Sequence, residues 1–324
     1  MRAALLSLLR VTVAVAVLAL AGAALVTQPV LGSIAAPPER SLPAALRAHV
    51  TQLTTTFSPR GADYPQNLDA AADYIRRHFA SAGARTELQT YQARKRTYRN
   101  VIARFGPERG PLTIVGAHYD AFVDTGLLPG ADDNASGTAA LLELARLLGK
   151  SDVQTPVMLV AYSNEEPPFF GSDQMGSAVH AQALGARPVS GMICLEMIGY
   201  YAEKQTWPNW TFAALYPSRG DFIAVGGGWR DRHLARHLKR GLRGAGMRAW
   251  SFTGPRETLD ASDHRNYWAA GHPAVVVTDT AFLRNPHYHT RNDTAATLDY
   301  QRMARVVDGV FSAITHPSHL KEAI

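Results

Sequence analysis

His118 in IVGAHYD, Asp132 in PGADDNASG, Glu165-Glu166 in VAYSNEE, Glu196 in MICLEMIG and His289 in HYHTRND each lie at the end of an apolar run. Imidazole nitrogens and carboxylate oxygens are the donors that zinc-like ions take. His118, Asp132, Glu166, Glu196 and His289 would supply enough of them for two such ions. The remaining glutamate, Glu165, stands beside a ligand glutamate. That is where metal-assisted hydrolysis needs a general base. The pattern points to a metallohydrolase.

Each motif also has a plainer reading. His118 could cap a loop, but Asp120 two residues on is placed to accept its second ring N–H, as carboxylates do for metal-bound histidine. PGADDNASG could be an ordinary helix start with acidic residues favoured by the helix dipole. In the functional reading Asp132 bridges two metals, one oxygen on each. Glu165 and Glu166 would repel each other if buried, and a dication removes that repulsion. Glu166 then binds metal and Glu165 takes the proton. Glu196 ends an otherwise apolar strand and needs a partner there. His287 is two residues from His289, and composition does not decide between them. Asp133 and Asp263 are left as supporting groups around the ligands.

These residues need a scaffold that brings them together. Helical spacing of apolar residues predicts helices over 42–58, 67–82, 137–148, 172–184, 229–244 and 300–314. Alternating stretches at 86–91 and 98–105 read as neighbouring strands, and apolar runs at 112–117, 157–162, 192–195 and 274–278 as buried ones. Such alternation indicates an α/β three-layer sandwich with a mixed, largely parallel central sheet flanked by helices. His118, Glu165-Glu166 and Glu196 each follow a strand directly, and open α/β sheets bind ligands at the carboxyl ends of strands.

The chain has 324 residues, 46% apolar and 19% charged, with a net charge of +6. That is ordinary globular composition. No basic block interleaves with aromatics, so no nucleic-acid partner is expected. Arg94-Lys95-Arg96 reads as a solvated strand end. The single cysteine, Cys194, lies in an apolar run and reads as a buried, inert thiol. Arg2 and Arg10 precede an uncharged run of 16 residues from Val11 to Val26, as in a secretory signal or an uncleaved anchor. Counted across Arg10 or on to Leu31, the run is long enough to span a bilayer. Residues 1–38 are therefore expected to be a signal peptide or membrane anchor plus linker, and 39–324 one catalytic domain that is exported. HExxH, CxxC, GxSxG and Walker motifs are absent from the sequence.

GAHYD, PGADDNASG, SNEE, MIG and YHTRNDT, in that order, resemble the M28 family of zinc peptidases, which includes bacterial leucyl-type aminopeptidases. The resemblance covers roughly residues 112–298. It implies an α/β sandwich and two zinc ions bridged by Asp132. One zinc would be held by His118 and Glu196, the other by Glu166 and His289. Glu165 would be the general base, with a cis peptide between Asp132 and Asp133. The implied substrate is a peptide or amino-acid amide. Glu196 departs from the family pattern, where aspartate is common. Pro167-Pro168-Phe169-Phe170 suggests a stiff aromatic substrate wall, and Trp207 and Trp210 could line an apolar pocket. The related glutaminyl-peptide cyclotransferases, with one zinc, resemble the chain at Glu165-Glu166 and His289. The intact Asp132-Asp133-Asn134 run and His118 favour the two-metal peptidase. Carboxypeptidase and dipeptidase relatives, and a fold kept only for binding, are the other readings.

Overall fold

The computed structural model describes residues 2–123 and 128–316, with side chains from residue 5 onward. Its strands are β1 (Arg85–Ala93), β2 (Arg96–Phe105), β3 (Leu112–His118), β4 (Val157–Tyr162), β5 (Val189–Leu195), β6 (Ile223–Gly228), β7 (Ala249–Gly254) and β8 (Ala274–Thr278). They form one sheet in the order β1-β2-β4-β3-β5-β8-β6-β7. The central strands β4, β3, β5 and β8 run parallel, while β1–β2, β2–β4 and β6–β8 are antiparallel. The expected mixed, largely parallel sheet is present.

The helices are α1 (Arg2–Thr27), α2 (Pro43–Thr55), α3 (Pro65–Ser81), α4 (Gly137–Gly149), α5 (Gly176–Ala183), α6 (Trp210–Leu215), α7 (Arg232–Gly244), α8 (His264–Ala269) and α9 (Tyr300–Thr315). Alternate residues of the buried strands feed two cores. Val115, Ala117 and Ile193 pack with α2, α3, α4, α7 and α9 on one face. Ile114, Met192, Cys194 and Val276 pack with α5 and α8 on the other. This period-two division gives the three layers. Cys194 is buried, and that burial pushes its thiol well above the usual range, consistent with an inert packing role.

Some elements differ from expectation. β6 (IAVGGG) and β7 carry little apolar periodicity and give no clear strand signal. β6 is a strand because Gly226 and Gly227 let it lie against Val276 and Val275 of β8, which leave little room for a Cβ at 2.9 and 3.0 Å. The helix expected over 172–184 begins only at Gly176. Ser172 Oγ bonds the Phe169 carbonyl and accepts from Gln174 N, holding a turn instead. Arg94 and Lys95 form a two-residue hairpin turn, with φ of 45° and 65°, and are exposed as expected.

The N-terminal helix exceeds the strictly uncharged run. Leu5–Thr27, 23 residues of mean hydropathy 2.3, is long and apolar enough to cross a membrane. The stretch after it is bonded to the domain. Lys239 of α7 donates to the carbonyls of Thr27 and Gln28, Arg243 donates to Val30 O, and Ile34 N donates to Arg240 O.

Candidate metal centre

β3, β4 and β5 end side by side, and residues at or just past their ends open the site. His118 closes β3 and is fully buried. Its Nδ1–H donates to the Asp120 carbonyl at 3.1 Å and lies 3.4 Å from Asp120 Oδ1. That fixes the tautomer and leaves a lone pair on Nε2. His118 Nε2 faces Asp133 Oδ1 at 3.3 Å and Glu196 Oε2 at 3.2 Å. His289 Nε2 lies 3.0 Å from Asp133 Oδ2 and 3.5 Å from Glu166 Oε1. Asp133 thus offers one oxygen to each imidazole. Two donor groups result, His118–Asp133–Glu196 and Asp133–Glu166–His289, each with its atoms within 4.8 Å of one another.

Here the expected order of the two aspartates is reversed. Asp132 was expected to bridge and Asp133 to support. Asp132 is completely buried, and its oxygens accept from Gly199 N at 2.9 Å and Asn285 Nδ2 at 2.8 Å. It faces away from the histidines. Burial and the neighbouring Asp279 push its carboxyl well above the usual carboxylate range. The cis peptide is likewise one bond further on, at Asp133–Asn134. Asp293 sets this arrangement by accepting from Asp132 N at 2.9 Å and Asp133 N at 3.1 Å.

Asp120 does more than face the histidine. Its carboxylate accepts from the amides of Glu165 and Glu166 at 3.2 and 3.0 Å, so it also fixes the glutamate pair. Glu165 is 6% exposed, with Oε2 3.9 Å from His118 Nε2. Glu196 keeps its oxygen in the cluster despite the extra methylene. Ser262 Oγ donates to Glu196 Oε2 at 2.6 Å and Asn134 Nδ2 reaches it at 3.3 Å. Asp263, expected as a supporting group, lies near enough to feel the charges of His118, Glu196 and Asp120. Asp263 heads α8 and is buried, and burial raises its carboxyl to about 7. His289, at φ 53°, stacks on Phe122 at 4.2 Å and on Tyr288 at 3.8 Å. His287 instead meets Tyr200 edge-on.

The donor set fits divalent cations. Four carboxylates, from Asp133, Glu165, Glu166 and Glu196, converge on two imidazoles in a buried site. Burial raises Glu165 well above its ordinary value, with Glu166 and Glu196 adding to the effect, and raises Glu166 to about 7. Burial opposes charge on His289, yet Asp133 and Glu166 raise it to about 10. His118 Nε2 and Glu166 Oε1 are buried with no hydrogen-bond partner. One orphaned lone pair in each donor group, amid excess negative charge, matches what cations require.

Sequence reasoning missed Arg60, which sits in an unremarkable SPRGAD stretch. Its guanidinium is fully buried and donates to the carbonyls of Leu53, Tyr119, Pro129 and Gly130 at 2.7–2.9 Å. It ties α2 to the loop that follows His118 and to the loop that precedes Asp133. Replacing Arg60 by methionine leaves those acceptors unpaired. A loss on the order of 3 kcal/mol in urea unfolding is expected. Unchanged stability would show that Arg60 is dispensable. Asp293 within YHTRNDT has no role readable from the sequence, Asn134 counts there only as part of the Asp132-Asp133-Asn134 run, and Ser262 carries no signal that sets it apart.

Beside Glu196 opens an apolar cavity of about 320 Å³, lined by Met197, Trp207, Phe212, Phe252, Phe282 and Tyr288 among others. Trp207 both lines it and packs against Phe212, Tyr216, Phe222 and Phe252. Trp210 is 80% exposed, and Phe169 is buried against Tyr98 instead of walling the site.

A carboxylate–imidazole cluster at the carboxyl edge of an α/β sheet, with a glutamate poised beside it, defines a metal-dependent hydrolase. The model of peptidase family M28 matches residues 100–314, and the chain belongs to that family of metallopeptidases. A protein of Escherichia coli (strain K12), YfbL, described as uncharacterized, is 47% identical over 298 residues, spanning 89% of this chain and 92% of that one. Among solved structures, the LapA aminopeptidase of Legionella pneumophila superposes with a TM-score of 0.69 at 20% identity, over 85% of this chain and 71% of that one. The glutaminyl cyclase of Tannerella forsythia superposes with a TM-score of 0.65 at 19% identity, over 86% of this chain and 99% of that one. At these identities the two structures share the fold with this chain.

Proposed function

We propose that the protein is a two-zinc aminopeptidase. The observation that carries this reading is the Asp133 carboxylate, which offers one oxygen to each of His118 and His289. Nitrogen and oxygen donors of this kind suit zinc. His118, Asp133 and Glu196 would hold one ion and Asp133, Glu166 and His289 the other. Bound zinc supplies Lewis-acid polarisation of the scissile carbonyl and lowers the pKa of water. Glu165 accepts the proton of the attacking water and returns it to the leaving amine. Asp120 holds Glu165 in position through its amide. The apolar cavity beside Glu196 takes a large apolar side chain next to the scissile bond. The acidic surplus of the neighbouring carboxylate–imidazole cluster suits a free α-ammonium. The apolar helix Leu5–Thr27 supports export, with the catalytic domain outside the cytoplasm and α1 serving as anchor or signal.

A glutaminyl-peptide cyclotransferase is the second reading, favoured by the shared fold with a glutaminyl cyclase. Leucyl amide, N-acetyl-leucyl amide and a glutaminyl peptide, offered to the zinc-loaded protein, separate the two. The aminopeptidase cleaves only the free-amine leucyl compound. Cyclisation of the glutaminyl peptide with neither amide cleaved would overturn this assignment.

A further inference from the structure

The N-terminal helix ends against β7, where side chains of α7 reach it. Lys239 Nζ donates to the carbonyls of Thr27 and Gln28, both at 2.8 Å, in the last turn of α1 and just past it. Arg243 donates to Val30 O at 2.7 Å, and Ile34 N donates to Arg240 O at 3.0 Å. A chain gripped at these points cannot carry α7 away from the end of α1.

The apolar segment Leu5–Thr27 has 23 residues. At 1.5 Å per residue it is about 35 Å long, against a hydrocarbon core of about 30 Å. If α1 crosses a bilayer, the Lys239–Arg243 part of α7 is held next to the headgroups. Its sequence suits that place. Arg232, Arg236, Arg240 and Arg243 recur at helical spacing, so they form one stripe. Arg232 and Arg243 are exposed, and Arg236 and Arg240 half-buried. Among the described residues, no carboxylate stands within ion-pair distance of any of the four. Trp229, 39% exposed, heads the stripe, and tryptophan favours the membrane–water interface. On the opposite side α7 buries Leu234, Leu238 and Leu242 in the core, so the stripe faces outward.

We propose that the arginine stripe of α7 docks on the headgroups of an anionic bilayer, holding the catalytic domain against the membrane that α1 spans. The inference rests on reading α1 as a retained anchor. It does not depend on the substrate. Each cation near an anionic surface strengthens association about fivefold. Three or four acting together, on a chain already tethered, keep the domain seated.

The test uses the full chain in lipid nanodiscs of pure phosphatidylcholine or of phosphatidylcholine with 30% phosphatidylglycerol. Modification of arginines by phenylglyoxal is followed by peptide mass spectrometry, with exposed Arg109, on the β2–β3 loop, as the reference. In anionic discs, Arg232, Arg236 and Arg240 should react at least fivefold more slowly than in neutral discs. High salt should abolish the difference, and Arg109 should react equally in both. Equal rates at the stripe in both discs would overturn the docking. Survival of residues 11–26 against proteinase K reports separately whether α1 is inserted. Digestion of that segment would overturn the anchor and the docking with it, leaving the peptidase assignment untouched.

Discussion

Glu165→Gln is expected to lower turnover of leucyl amide by about 10²–10⁴-fold while zinc content and unfolding midpoint stay near those of the parent. The change keeps size and shape. The Glu165 amide remains bonded to Asp120, and the side chain still lies in the buried wall of the site, 6% exposed. What glutamine cannot do is accept and return a proton. Loss should therefore fall on kcat with little change in KM, because an interaction made in the transition state is removed. Steady-state kinetics with parallel metal analysis read both quantities. A variant with full activity would remove Glu165 from the mechanism. A variant that also lost metal would make it a ligand.

The second large effect separates two adjacent residues. Asp133→Ala removes the carboxylate that faces both His118 and His289, and metal affinity is expected to fall by more than about 100-fold at both positions. Asp132→Ala should behave differently. Its partners are Gly199 N and Asn285 Nδ2, so their hydrogen bonds are lost and stability falls by about 1–3 kcal/mol. Bound zinc per folded chain should remain near the parent value. Zinc per chain after loading and dialysis, measured beside urea unfolding, distinguishes the two. If Asp132→Ala lost its metal and Asp133→Ala kept it, the bridging role would return to Asp132.

That pair also marks where sequence reasoning stops. Strand ends were readable because buried parallel strands are unbroken apolar runs, so a terminal charge stands out. His118 and Glu165-Glu166 follow such runs, and the structure brings them together with Glu196 and His289. Asp132 and Asp133 share one turn-rich motif, and both are buried. Which of them turns inward depends on Asp293, about 160 positions along the chain, and on Gly199. No local pattern carries that information. Arg60 was invisible for a similar reason. Its four acceptors are backbone carbonyls, which leave no trace in the identity of the residues bearing them. β6 was obscured by its glycines, whose value lies in the valines of the strand opposite.

Asp120 has a consequence for how this site tolerates change. One carboxylate lies beside the His118 ring and also holds the amides of Glu165 and Glu166. The ends of β3 and β4 are thereby coupled, and a displacement of one ligand is shared by its neighbours. Mutational robustness around the centre should be uneven. Under the proposed function, changes among the cavity residues should alter substrate choice one at a time. At position 120 there are few neutral steps, because even asparagine replaces one of the two acceptor oxygens with a donor that faces the amide N–H which that oxygen held. A saturation library selected for altered side-chain preference should recover variants at Phe212, Phe252 and Phe282 and leave Asp120 almost unchanged.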